Sequence, residues 1–185
     1  MRRMSSTRYA EAMGEADKAY DRALNYLEKR DRTEKEVGEK LAGVGFSESA
    51  IALTLTRLRE AGYVNDRDYA IRYMEALARK GRGRLRISAE MRQKGLPEEL
   101  VKNTLEDEGL ASGERERAKE EARKAWGSIP DKTDRRKAMA KVNRRLVSLG
   151  YSYDVIGEAV YALKDTEDDD EEKEEYGEKE ENGDY

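Results

Sequence analysis

Three stretches decide the fold: residues 41–55 (LAGVGFSESAIALTL), 91–105 (MRQKGLPEELVKNTL) and 146–160 (LVSLGYSYDVIGEAV). They overlay without a gap. Each carries an apolar residue, a Gly four positions on, and then an apolar or aromatic residue. An Ile or Val follows five positions later, and another apolar residue four beyond that. The glycines are Gly45, Gly95 and Gly150, so the pattern returns after 50 and then 55 residues. Spacings of that size mark stacked supersecondary units.

Elementary physics accounts for the shared positions. A Gly in the left-handed conformation closes a helix at low cost, so each of the three should sit at a helix end. Phe46, Leu96 and Tyr151 should pack back over that end. Ser47, Pro97 and Ser152 fall at or next to an N-cap. Ile51, Leu55 and Leu58 then recur at i, i+4 and i+7, one helical face. Val101 with Leu105, and Ile156 with Val160, repeat the stripe.

Each helix pair has another helix upstream. Tyr20, Ala23, Leu24 and Leu27 form an apolar stripe before Thr33. Thr33 and Glu36 read as a capping box opening a helix over 37–44. Asp66 is expected to cap a helix carrying Tyr69, Ala70, Tyr73 and Leu77. Ala118, Ala122, Ala125 and Trp126 precede Pro130, expected to start a longer helix through Val142 and Leu146. The expected fold is all-α: nine helices in three tandem three-helix repeats, stacked as an elongated, curved array. The expected divisions are a flexible N-terminus (1–15), repeat 1 (16–65), repeat 2 (66–110), repeat 3 (111–164) and a disordered acidic tail (165–185). Met, Leu and Tyr at the repeat spacings are read as core and given no function.

Composition excludes much chemistry. Apolar residues are 37% and charged residues 42%, too polar for one large core but enough for small helical units. With no Cys, disulfides and zinc fingers are impossible. With no His, the commonest general base and metal ligand are missing. No phosphate loop of the GxxxxGK[ST] kind and no GxSxG elbow occurs. Carboxylates are so abundant that pairs at metal spacing arise by chance. The expectation is a non-enzyme with no metal and no cofactor. No apolar run approaches a membrane span, and Arg2 and Arg3 have no apolar stretch behind them, so a cytoplasmic protein is expected.

The net charge of -4 hides a division. Residues 165–185 hold 13 Asp or Glu and two Lys, a net of -11, so the rest carries +7. Within that rest, Arg79, Lys80, Arg82, Arg84 and Arg86 fall within eight residues, interrupted by Gly81 and Gly83. This reads as a flexible basic elbow, suited to phosphate backbone or an acidic protein groove; the alternative is a solvated loop. Arg92 and Lys94 extend it. Arg135, Arg136, Lys137, Lys141, Arg144 and Arg145 form a second basic surface, for which solvation and binding weigh equally. The acidic tail reads either as a solubiliser or as a segment folding back on the elbow in competition with DNA.

Residues 30–41 (RDRTEKEVGEKL), 62–70 (GYVNDRDYA) and above all 80–96 (KGRGRLRISAEMRQKGL) resemble the RecX family, whose pattern has a Lys-Gly-x-Gly elbow leading to Arg-Ile, an acid and Lys-Gly. The likeness covers roughly residues 17–164 and is looser in the third repeat. It implies a tandem three-helix protein that binds the RecA recombinase filament, inserting along its groove and dampening ATP hydrolysis and strand exchange. Carried over, Lys80, Arg82, Arg84 and Arg86 would face filament or DNA, with Arg79, Arg92, Lys94, Lys141 and Arg144 as further binding candidates. Arg82 and Arg84 depart from the aromatic and Pro common there, and the acidic tail lies outside the pattern. A monomer is expected. The competing reading is a helix-turn-helix transcription regulator with 47–60 as recognition helix, against which stand the helical pattern after Asp66 and the two further copies of the motif. A passive helical scaffold is the third.

Overall fold

The computed structural model describes residues 6–106 and 108–163, and side chains from 13–106 and 113–163. Among the described residues there are nine helices and no strand. They are α1 (Ser6–Leu27), α2 (Glu34–Ala42), α3 (Glu48–Glu60), α4 (Asp66–Arg79), α5 (Arg84–Gln93), α6 (Glu98–Glu106), α7 (Glu108–Gly127) and α8 (Arg135–Leu149). Helical residues 153–163 make α9. The all-α expectation of three groups of three holds. Residues 6–15, within the start expected to be flexible, are the first turns of α1. There Glu15 accepts the Ser47 backbone N–H at 2.7 Å. Residues 165–185, expected to be disordered, lie outside the described residues.

The repeated glycines build the same joint three times. Gly45, Gly95 and Gly150 have φ of 99°, 81° and 85°. The N–H groups of Phe46, Leu96 and Tyr151 donate to the carbonyls of Leu41, Met91 and Leu146, each at 3.3 Å. The glycine N–H groups donate to Ala42, Arg92 and Val147 at 2.9–3.0 Å. This 6→1 and 5→2 pairing is the Schellman motif, which satisfies the last carbonyls of a helix and turns the chain. It recurs at Gly62 and Gly81, closing α3 and α4.

The described residues fall into two compact units, those within Met1–Met74 and Glu90–Thr104, and those within Glu75–Ala89 and Leu105–Tyr185. The division runs through α4 and α5, so the middle repeat is shared out between the two. A three-helix brick this small buries little alone.

In the first unit Ala19, Ala23, Val37, Leu41, Leu58 and Val64 form the core, with Tyr20, Leu24, Phe46, Ile51 and Leu55 packed on it. The deepest face of α3 is Ala50, Thr54 and Leu58, one position round from the expected Ile51–Leu55 stripe. Thr54 is admitted there because its hydroxyl donates to the Ala16 carbonyl at 3.2 Å. The Thr33–Glu36 capping box is present. Asp66 is not the cap of α4: Asn65 Oδ1 accepts the Arg67 and Asp68 N–H groups, each at 3.1 Å. The Asp66 carboxylate instead accepts the Glu34 N–H at 2.9 Å, capping the distant α2. Burial raises its pKa, the Glu34 N–H opposing.

The second unit centres on Ala118, Ala122, Val142, Leu146, Leu149, Tyr151, Val155, Ile156, Ala159 and Leu163. Pro130 does not start the long helix. It opens a turn closed by Thr133 N–H at 2.9 Å. Asp134 caps α8 by accepting the Lys137 N–H at 3.1 Å, as its short acceptor side chain allows.

Candidate functional site

The basic elbow is an ordered joint rather than a flexible one. Gly83 N–H donates to Leu149 C=O at 2.9 Å, Leu85 N–H to Gly150 C=O at 3.0 Å, and the Tyr151 hydroxyl to Gly81 C=O at 3.0 Å. Burial pushes the Tyr151 phenol up to about 12, with Arg117 opposing, so it stays a donor. A Cβ on Gly83 would meet backbone of Gly150 and Tyr151, which is why only glycine fits between the two chain segments. The joint of the third repeat therefore fixes the aim of the elbow. Sequence spacing could not show this.

Around that joint the cations are not equivalent. Arg84 and Arg86 lie exposed on the first turn of α5, with Leu85 59% exposed between them. Lys80 is exposed and Arg82 half-buried. Arg79 pairs with Glu75 at 3.7 Å. Helix α7 brings acids that sequence distance hid: Glu114 accepts the Arg84 N–H at 2.6 Å, and a Cβ on Gly81 would sit 2.8 Å from Glu121 Cδ. The elbow's positive field is thus partly offset by Glu75, Glu114 and Glu121.

Helix α8 is different. Its fifteen residues carry Arg135, Arg136, Lys137, Lys141, Arg144 and Arg145 and no acid. All six are exposed, while Ala138, Val142, Leu146 and Leu149 fill the core side. Among the described residues, no carboxylate reaches salt-bridge distance of Arg136, Lys137, Lys141, Arg144 or Arg145. Lys137, Lys141 and Arg144 succeed one another at i, i+4 and i+7 on one face. Lys141 and Arg145 also line a cleft of about 420 Å³ with Glu121, Lys124, Ala125, Ser128 and Ile129 of the α7 side. Three cations in the first turn oppose the helix dipole, a cost that stability alone does not explain.

Two of the expected binding residues are engaged in the first unit. Lys94 Nζ pairs with Glu36 at 2.9 Å, and its carbonyl accepts the buried Thr33 hydroxyl at 2.7 Å. Burial works to raise the Glu36 pKa, but Lys94, the Thr33 N–H and Arg30 outweigh it and hold it low. Lys94 is therefore part of the capping network of α2. Arg92 forks onto Glu98 at 2.5 and 2.6 Å, an exposed pair that a stronger anion could displace.

Among the described residues no group of acids could hold a metal ion, and no helix is long and apolar enough to cross a membrane. Where a winged helix-turn-helix would carry its β-wing after Gly62, the chain enters α4. Fold and surface define an all-helical repeat protein with exposed cations on α5 and α8. The chain belongs to the RecX family: models of its first, second and third three-helix domains match residues 19–58, 65–105 and 113–160. The regulatory protein RecX of Levilactobacillus brevis is 34% identical over 159 residues, 83% of this chain and 58% of that protein. That of Bacillus subtilis is 30% identical over 163 residues, 86% of this chain and 60% of that protein. The chain thus spans less than two thirds of the length of these two relatives. The crystal structure of RecX from Lactobacillus salivarius aligns with a TM-score of 0.73 at 25% identity, covering 82% of this chain and 98% of that one.

Proposed function

We propose that this protein is a negative modulator of RecA recombinase, which binds the RecA–DNA filament and dampens ATP hydrolysis and strand exchange in recombination and the SOS response. The observation that carries the reading is the presence, in order and in one chain, of all three three-helix domains of the RecX family. It acts in the cytoplasm as a monomer, without catalysis or cofactor. The contact surface consists of Arg79, Lys80, Arg82, Arg84 and Arg86 at the elbow, Arg92 beside it in sequence, and Lys141 and Arg144 on α8. Lys94 is left out because Glu36 holds it. Exposed cations in these numbers suit phosphate and acidic groove residues, and their effect weakens with salt.

The test is ATP hydrolysis by RecA assembled on single-stranded DNA. Near-stoichiometric protein should slow turnover, and Arg82→Glu, Arg84→Glu, Arg86→Glu together should weaken inhibition about tenfold or more. Hydrolysis untouched by excess protein refutes the proposal.

A further inference from the structure

Residues 165–185, with 13 acids against two lysines, have no assigned place on the protein. We propose that this segment docks on the acid-free face of α8, along Lys137, Lys141, Arg144 and Arg145 and over the cleft beside α7, so that the protein covers part of its own basic surface.

Four observations favour that seat. The first is charge: the segment's net of -11 faces a helix of six cations and no acid, five of them unpaired among the described residues. The second is position. Leu163, the last described residue, is buried in the core that α7 and α8 build, and Ala125 and Ile129, which line the cleft, pack on that same core. The segment therefore sets out from the same core on which α8 packs. The third is reach: residues 164–185 could extend to roughly 70 Å, against ~22 Å for the length of α8. A ligand on so short a tether sees its site at an effective concentration in the millimolar range, so many weak exposed pairs suffice. The fourth is the helix dipole. Anions beside the first turn of α8 relieve the conflict set by Arg135, Arg136 and Lys137. The elbow is the poorer seat, because Glu75 pairs with Arg79 and Glu114 holds the Arg84 N–H there, whereas Glu121 borders both places.

The contact is autoinhibitory in character, since a polyanionic partner must displace the segment first. It also needs no recombinase to be tested. The chain has no Cys, so Asn182→Cys in the full-length protein gives one site for a nitroxide label. The expected result is a loss of amide signal, about twofold or more, at Lys137, Lys141, Arg144 and Arg145 in ~20 mM salt, recovering above ~300 mM as charges are screened. The exposed charge reversal Lys141→Glu, Arg144→Glu, Arg145→Glu, carrying the same label, should abolish the loss. A loss centred on Arg79–Arg86, one spread evenly over the surface, or none at all overturns the proposal. So does an equal loss on unlabelled isotopic protein mixed with labelled protein, which would place the contact between molecules.

Discussion

Gly150→Ala should cost far more stability than Gly45→Ala, although both glycines close a helix in the same way. At Gly45, φ is 99° and nothing lies within 4 Å of an added Cβ. The loss there is the left-handed penalty alone, about 1–2 kcal/mol. At Gly150, φ is 85° and the Cβ would lie 2.5 Å from Arg86 N and 2.9 Å from its Cα. Backbone cannot rotate away as a side chain can, so the joint must open. Opening it strains the Gly83–Leu149 and Leu85–Gly150 hydrogen bonds, now 2.9 and 3.0 Å. With about 1 kcal/mol for each bond, the total reaches about 3–4 kcal/mol. Urea denaturation followed by far-UV circular dichroism measures both losses. The fluorescence of Trp126, the one tryptophan of the chain, reports the second unit separately. Losses for the two variants that agree to within about 0.5 kcal/mol would refute the claim that the Arg86 backbone, rather than glycine's dihedral freedom, governs the Gly150 joint.

Thr33→Ala removes both the cap of α2 and the hydroxyl bond to Lys94 C=O, with an expected loss of about 1–2 kcal/mol that Thr33→Ser largely restores; chemical denaturation of the three proteins decides it. Glu36 has a folded pKa below the usual 4.5, so it contributes stability above that pH which fades as acid protonates it. Glu36→Gln should therefore lower stability at neutral pH and flatten the acid limb of a stability profile. Tyr151 behaves oppositely: its folded pKa of about 12 exceeds the ordinary 10.0, so the folded state holds its proton longer and stability falls as pH rises through that interval. Tyr151→Phe should remove that alkaline slope relative to the parent while costing about 1 kcal/mol for the lost bond to Gly81 C=O.

Much of the architecture is legible in the chain because its determinants are local. A Gly four residues after an apolar residue, followed by an apolar one, specifies a Schellman turn from backbone sterics alone, and three copies specify three bricks. The capping box at Thr33 and Glu36 is likewise read from two residues three apart. Local reading fails where a side chain is recruited across space. Asp66 has the residue type and the place of a cap for its own helix, yet Asn65 caps it one residue earlier and frees Asp66 for Glu34 of α2. Pro130 marks a turn, and Asp134 provides the acceptor that starts α8.

The surface divides the same way. Sequence alone determined that the body is basic, that residues 165–185 are acidic, and which cations are candidates. Only the tertiary structure decided which of them are open to a partner, because charge acts through distance and not through position in the chain. It brought Glu36 to Lys94 across 58 residues and Glu114 to the Arg84 N–H across 30. It brought no acid of the described residues within salt-bridge distance of Lys141, Arg144 or Arg145, so α8 keeps most of the field that its sequence carries.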